Sequence, residues 1–521
     1  MKNSISNNNQ WSWRQGGALL LFCLICHLSI ASESLNLPHL VDSKPRNIVF
    51  ILVDDQRFDA MSCAGHPFLK TPALDSIAEN GVLFRNAYVT TSLCSPSRAS
   101  ILTGLYAHTH GVVDNRTLVS NELVFFGQYL QANQYETAFI GKWHMGNASD
   151  EPRRGWDHWV SFRGQGHYYP KLKNGKTSLL NVNGKSIPQT RYITDELTDY
   201  AVDWLKERDD QGKSWMLYLS HKAVHSDFIP ADRHDGRFKN VPLPEVRSTQ
   251  NTPDDDRKPM WARNQRNSWH GAEFPLHLQQ GEMDFLERRY YEAMLAVDES
   301  TERVLKTLKD LGLYESTLVI YMGDNGFMWG EQGLWDKRTA YDPSIRVPLL
   351  MQCPDLLPAG RFVDGMAANI DIAPTVLDAA GLQSPEHFQG KSLLSIAKGR
   401  PDPEWRTELL YEYFWERWAP STPTLHALIT PRFKYVRAYG LWDLHELYDL
   451  QNDPEELDNL YLESSWHQLA IDMDKRLFEL LHETGGDSIP LHRGWHGRAK
   501  ELRHPDRSPW ALFPKSLKVK P

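Results

Sequence analysis

The stretch that most constrains this chain is Asn47-Ile48-Val49-Phe50-Ile51-Leu52-Val53, an almost unbroken apolar run rich in β-branched residues. A strand with no polar alternation has no face to offer to water, so it needs packed layers on both sides, as in a parallel sheet covered by helices. The run ends in Asp54-Asp55. Adjacent carboxylates at the carboxyl end of a buried strand repel each other unless a cation lies between them, so the pair reads as a polar turn or as half of a metal site.

Further strands are expected over residues 137–140, 215–220, 317–322 and 346–351. Helices are expected over residues 72–80, with Thr71 as cap and Pro72 at the first position, over 123–132 and 282–311, and from Asp371 towards Gly381. Strand and helix alternating in this way predict a doubly wound sheet with right-handed crossovers. After Thr407 the pattern changes to short strands, 425–429 and 433–437 around Thr430-Pro431-Arg432, followed by a helix near 465–482. The expected architecture is α/β: a large doubly wound mixed sheet flanked by helices over residues 45–400, with a smaller C-terminal antiparallel-sheet subdomain and tail over 405–521. Residues 227–282, rich in Pro, Asn, Asp, Arg and Trp with little periodicity, read as a surface insertion.

Chemistry gathers at the strand ends. Cys94 precedes Pro96 and an expected helix, where free amides and the helix dipole favour an anion, and Arg98 lies one turn on. Lys142 and His144, two apart on an extended segment, point the same way and can reach one pocket. The 215–220 strand delivers His221 and His225; histidines four apart share a face only on a helix, so one of the two is structural, and spacing leaves both open. Gly323-Asp324-Asn325-Gly326 is a common turn when read alone. Paired with Asp54-Asp55 it supplies hard oxygen donors from two strands, which suits Ca²⁺ or Mg²⁺ rather than zinc.

Cys94-Ser95-Pro96-Ser97-Arg98 followed by Leu102-Thr103-Gly104 resembles the signature of type I sulfatases of the alkaline phosphatase superfamily. Val53-Asp54-Asp55-Gln56, Gly141-Lys142-Trp143-His144-Met145-Gly146, Gly323-Asp324-Asn325-Gly326 and Lys337 resemble further elements of that family, in its order, across roughly residues 45–460. The resemblance implies that Cys94 is oxidised to formylglycine by a formylglycine-generating enzyme, the hydrated aldehyde being the nucleophile. It implies one Ca²⁺ held by Asp54, Asp55, Asp324, Asn325 and the side chain at position 94. Arg98, Lys142 and Lys337 would contact the sulfate oxygens, His144 would act on the formylglycine hydroxyl and His225, which the resemblance favours over His221, on the leaving-group side.

The segment 162–169, with His167 and Tyr168 as candidate substrate contacts, is similar to sulfatases acting on glycans. The implied substrate is a sulfated carbohydrate, either an algal polysaccharide such as ulvan or a glycan of the N-acetylglucosamine-6-sulfate type. A phosphonate or phosphodiester hydrolase of the same superfamily and a non-catalytic carbohydrate-binding protein are the alternatives.

Lys2 and Arg14 ahead of the apolar run 18–30, with small residues at Ser29 and Ala31, read as a signal peptide over residues 1–31, which predicts an exported protein, periplasmic or secreted. No later segment is apolar enough to span a bilayer, so no integral membrane segment is expected after signal cleavage. Losing Lys2 and Arg14 takes the formal net charge from −9 to −11, which argues against nucleic acid as a partner. An anionic substrate then needs a local basic pocket. Of five cysteines, Cys63, Cys94 and Cys353 remain in the mature chain; with Cys94 modified, one disulfide at most is possible.

Overall fold

The computed structural model describes residues 35–41, 43–145, 149–172, 174–208, 212–246, 257–265, 280–400, 402–417, 419–440, 444–490 and 510–512. The signal-peptide reading, Gly146, much of the 227–282 insertion and most of the basic tail after Arg493 lie outside the described residues.

Ten strands form one mixed sheet: β1 (Ile48–Val53), β2 (Val82–Phe84), β3 (Glu136–Gly141), β4 (His158–Ser161), β5 (Leu179–Val182), β6 (Lys185–Pro188), β7 (Trp215–Ser220), β8 (Leu318–Gly323), β9 (Leu349–Gln352) and β10 (Arg361–Val363). Their spatial order is β10-β2-β9-β8-β1-β7-β3-β4-β5-β6. The central block β8-β1-β7-β3-β4 is parallel, while β9 runs antiparallel to β8 and β2. β1 sits in the middle with every residue buried. Ile48, Phe50 and Leu52 enter one core and Val49, Ile51 and Val53 the other, as a strand covered on both faces requires.

One face is covered by α1 (Pro72–Glu79), α3 (Ile193–Lys206) and the 31-residue α4 (Gln280–Asp310), through side chains such as Leu74, Leu197 and Met294. The other is covered by α2 (Cys94–Thr103) and the helices Phe126–Ala132 and Ile372–Ala379, through Ile101, Leu130 and Val376.

A second sheet is four-stranded and antiparallel: β11 (Leu409–Tyr413), β12 (Thr424–Ile429), β13 (Phe433–Tyr439) and β14 (Glu446–Asp449), with α5 (His467–Glu483) against it. Its apolar residues join the core that α2 faces. Glu412 N donates to Thr90 O at 2.8 Å, and the Tyr411 hydroxyl meets Ser92 Oγ at 2.7 Å. This sheet therefore braces the stretch leading into Cys94.

Three local expectations shift. Thr71 makes no side-chain cap; the Asp298 carboxylate on α4 accepts from Ala73 N and Leu74 N, both at 3.1 Å, placing an anion at the positive end of α1. The helix expected from residue 123 starts at Phe126, because Gln128 Oε1 reaches back to Phe125 N at 3.1 Å and closes the first turn there. The strand expected from Arg346 starts at Leu349: Arg346 ends the short helix Asp342–Ile345, and Pro348 has no N–H to give to a ladder.

A buried ion pair links this brace to the short helix Ala107–His110 that follows α2. His108 Nδ1 lies 2.6 Å from Glu412 Oε1 and its Nε2 2.9 Å from Thr484 O. Burial opposes charge on both groups, but each partner outweighs it, raising His108 above its usual 6.5 and lowering Glu412 below its usual 4.5. The glutamate contribution is present above 4.5 and lost as pH falls through the lowered value; the histidine contribution is present below 6.5 and lost as pH rises through the raised one. Glu412→Gln should therefore cost about 3–5 kcal/mol near pH 5–6, with the gap to wild type closing as pH rises. Thermal melts of both proteins from pH 5 to 9 test this, and a gap independent of pH would count against the pair.

Candidate active site

β1 and β8 are adjacent and parallel, and Val53 stands opposite Gly323 in the ladder. That register makes both strands release their polar residues at one level, so Asp54-Asp55 and Asp324-Asn325 emerge side by side, all four fully buried. Asp55 N donates to Asp324 Oδ1 at 3.0 Å, and Asn325 Nδ2 to Asp55 Oδ1 at 2.7 Å.

Cys94 is the first residue of α2, and its Sγ lies 3.5 Å from Asp54 Oδ1 and 4.0 Å from Asp55 Oδ1. The helix expected after Cys94 thus begins at Cys94 itself, with Pro96 at its third position. Arg98, one turn on, donates through Nε to Asp324 Oδ2 at 2.9 Å and through Nη1 to Lys142 O and Ser220 Oγ, both at 2.7 Å. Lys142 leaves the end of β3 and pairs with Asp54. Gly141 before it adopts φ +121°, where a Cβ would collide with Ser220 O, so only glycine lets β3 and β7 close here. Lys337 Nζ bonds Asp55 Oδ1 and Oδ2 at 2.6 and 2.7 Å. Three buried cations thus face three buried carboxylates around the thiol.

The two candidate histidines part company. His221 points to α4, its Nε2 3.1 Å from Ser300 Oγ, and burial pushes it down to about 4. His225 faces the carboxylates, with Nε2 3.8 Å from Asp55 Oδ2 and Nδ1 2.9 Å from Ser226 Oγ. His144 is buried, with φ +48° and an Nδ1 that lacks a hydrogen-bond partner among the described residues. His167 is exposed. Tyr168 is 2% exposed, and its hydroxyl donates to His225 O at 2.6 Å. That places it behind His225 rather than towards solvent. Lys222 Nζ sits 4.5 Å above its ring.

Sequence reading passed over several supports. Ser95 Oγ donates to His144 O, Ser95 N to Asn115 Oδ1 at 3.0 Å, and Ser220 Oγ to Lys142 O at 2.8 Å. Arg338 N donates to Ser92 O at 3.1 Å and its Nε to Glu416 Oε1 at 2.8 Å, fixing the turn that carries Lys337. Ser95 stands inside the signature around Cys94, but its contacts, like those of Asn115, Ser220 and Arg338, come only from the register of strand and loop ends.

Burial resists ionisation of Asp54, yet Lys142, His225, Arg98 and Lys337 outweigh it and hold the carboxyl well below its usual range. Asp324 goes the other way, pushed up to about 7 by burial and then by Asp54. Burial raises the Cys94 thiol well above 9.0, so an unmodified thiolate is disfavoured here. His144 is kept neutral by burial and then by Lys142.

Asp54, Asp55, Cys94 and His225 offer ligand atoms within 4.8 Å of one another. A thiol and an imidazole alone would suit zinc. The two carboxylates, the neighbouring Asp324 and the buried Asn325 Oδ1, which has no hydrogen-bond partner among the described residues, shift the donor set to hard oxygen. The residues present fit a Ca²⁺-type cation. Cys63, Cys94 and Cys353 are all free thiols.

A family profile described as Sulfatase matches residues 46–382, and one described as N-sulphoglucosamine sulphohydrolase, C-terminal, matches residues 330–483. The chain is 31% identical over 505 residues to an N-acetylglucosamine-6-O-sulfatase of Bacteroides thetaiotaomicron, covering 86% of this chain and 87% of that protein. It is 29% identical to an ulvan-active sulfatase of Formosa agariphila, covering 85% and 82% of the two chains. A solved structure of a protein in complex with its substrate D-glucosamine-2-N,6-O-disulfate superposes with a TM-score of 0.77 at 30% identity, covering 85% of this chain and 99% of that one. These matches do not favour the phosphonate or phosphodiester hydrolase and non-catalytic alternatives. No helix among the described residues is long and apolar enough to cross a membrane.

Proposed function

The chain belongs to the sulfatase family and is a sulfuric ester hydrolase, and from that premise we propose that it removes sulfate from a sulfated carbohydrate, with Cys94 converted to formylglycine and one Ca²⁺ at the strand ends. The observation that carries this reading is the ring of three buried cations, Arg98, Lys142 and Lys337, facing Asp54, Asp55 and Asp324 around position 94. Charge is already balanced there. A sulfate monoester adds one negative charge, and a buried uncompensated charge costs several kcal/mol. A divalent cation held by Asp54, Asp55, Asp324, Asn325 and the side chain at 94 would make room for that charge and for the charge that develops during hydrolysis. Formylglycine would supply an oxygen nucleophile where the buried thiol is a poor one.

The chain's own residues divide the remaining work. Arg98, Lys142 and Lys337 neutralise the sulfate oxygens as they release the carboxylates they now bind. Asp324, beside position 94, assists removal of the proton from the attacking hydroxyl, and His144, kept neutral, accepts the proton that remains. His225 protonates the departing sugar oxygen at Nε2, with Ser226 on its Nδ1 and Tyr168 on its carbonyl fixing the ring. Because the relatives include an N-acetylglucosamine-6-O-sulfatase and an ulvan-active sulfatase, N-acetylglucosamine-6-sulfate and ulvan are the carbohydrates to assay first. Export to a periplasmic or extracellular space belongs to the same proposal, since polysaccharides are met there.

Ion chromatography of sulfate released from both substrates by enzyme co-expressed with a formylglycine-generating enzyme tests the proposal. Release from a sulfated carbohydrate supports it; release from aryl sulfates alone, with carbohydrates untouched, would overturn the substrate class. A leaving-group comparison tests the acid. His225→Ala should slow hydrolysis of a sugar sulfate by roughly 100–10,000-fold and that of 4-nitrophenyl sulfate far less, because a phenolate leaves without a proton. Tyr168→Phe should show the same asymmetry at smaller size. Equal losses on both esters would remove His225 from the acid role.

A further inference from the structure

The C-terminal sheet carries a cavity of about 380 Å³ between β13, the segment before α5, and α5 itself. Lys434 on β13 points to the opposite face, where it pairs with Asp342 and Glu456; the register puts Tyr411, whose hydroxyl meets Ser92, on that same face, so the cavity lies on the face turned away from the stretch leading into Cys94.

Its wall mixes three chemistries. The Tyr435 hydroxyl and Arg437 Nη1 both donate to Asp474 Oδ1, at 2.9 and 2.6 Å, which leaves Asp474 Oδ2 as an open acceptor among the described residues, on a side chain that is 31% exposed. His445 has a buried Nδ1 with no hydrogen-bond partner among the described residues. Tyr461, half-buried, meets the His445 ring at 5.4 Å and 78°. Leu462 and Ile471 stand at the mouth, 53% and 61% exposed.

Elimination narrows the ligand. A purely apolar partner would strip water from Asp474 without replacing it, a strong anion would meet that same carboxylate, and a cation would meet Arg437. A neutral ring with hydroxyls on its edge and C–H groups on its face satisfies acceptor, imidazole and aromatic wall together, and the volume falls in the range of small-ligand pockets. We propose that this cavity is a second carbohydrate site, which takes an uncharged sugar ring of a glycan and holds the polymer while the catalytic centre works elsewhere on it. That the sugar belongs to the same polymer as the sulfate ester rests on the carbohydrate-sulfatase reading above; the binding chemistry does not.

Affinity gel electrophoresis tests the proposal on the full chain carrying Cys94→Ala, so that nothing is turned over. The probes are chemically desulfated ulvan, carrageenan and heparin, which offer sugar rings without the sulfate that the catalytic centre would bind. At least one should retard the protein, and adding Tyr461→Ala should weaken that retention about tenfold. In the Cys94 background, Tyr461→Ala should leave turnover of N-acetylglucosamine-6-sulfate or 4-nitrophenyl sulfate unchanged, which also shows that the fold survives. No retardation by any of the three polymers, or retention that ignores Tyr461→Ala, overturns the second site. Absence of turnover on sulfate esters would strike the catalytic reading and leave the retention result standing.

Discussion

Cys94→Ala is expected to abolish sulfate release, by four or more orders of magnitude, as loss of a nucleophile does in other covalent catalysts. The fold should survive. Cys94 is fully buried, but its thiol makes only long contacts to Asp54 and Asp55, and those carboxylates keep Lys142 and Lys337. Melting temperature should therefore move little while steady-state sulfate release disappears. Retained activity at about a tenth of wild type or more would end the reading of position 94 as the origin of the nucleophile. Cys94→Ser should be nearly as inactive where no serine-type maturase is present, because a buried hydroxyl lacks the second oxygen of a hydrated aldehyde.

Removing an oxygen donor should cost metal and activity together. Asp324→Ala and Asp54→Ala each leave a hard cation short of a carboxylate, and the loss should exceed the roughly 10–100-fold that changes behind a metal ligand bring. Asp324→Ala also strands the Arg98 guanidinium, which donates to that carboxylate through Nε at 2.9 Å and holds Nη2 2.8 Å from it. Asp324→Asn keeps the shape, and separates loss of the ion from loss of the fold. Elemental analysis of desalted protein should find calcium in wild type and a substoichiometric amount in either variant. Full activity after exhaustive chelation would show that the four oxygen-bearing side chains at the strand ends serve another purpose.

Much of this arrangement was legible before the structure because it sits where strands end. The unbroken apolarity of 47–53 announces a strand covered on both faces, and β1 is the centre of the sheet with neighbours β7 and β8. A polar pair directly after such a strand has to emerge at its carboxyl end, which is how Asp54-Asp55 and Asp324-Asn325 were placed in one site. The histidine choice was open on spacing alone, since residues 221–225 follow no regular period; the turn after β7 sends His221 to Ser300 and His225 to Asp55.

Other features depend on contacts between distant segments and leave no local trace. Thr71 reads as a cap, yet Asp298 takes that role from more than 200 residues away. Tyr168 reads as a substrate contact because its segment is similar to sulfatases acting on glycans, and only the packed structure shows its hydroxyl committed to His225 O. The cavity beside Asp474 joins β13 to α5 and a connecting turn, and no periodicity marks it.

The central claim, that position 94 carries a nucleophile made from cysteine, is tested most directly by the mass spectrum of the peptide containing residue 94 from an actively turning-over preparation. The account predicts a peptide that has lost one sulfur and two hydrogens and gained one oxygen, in a fraction that tracks specific activity from batch to batch as maturase co-expression is varied. An intact Cys94 thiol throughout a preparation that releases sulfate at full rate would contradict it.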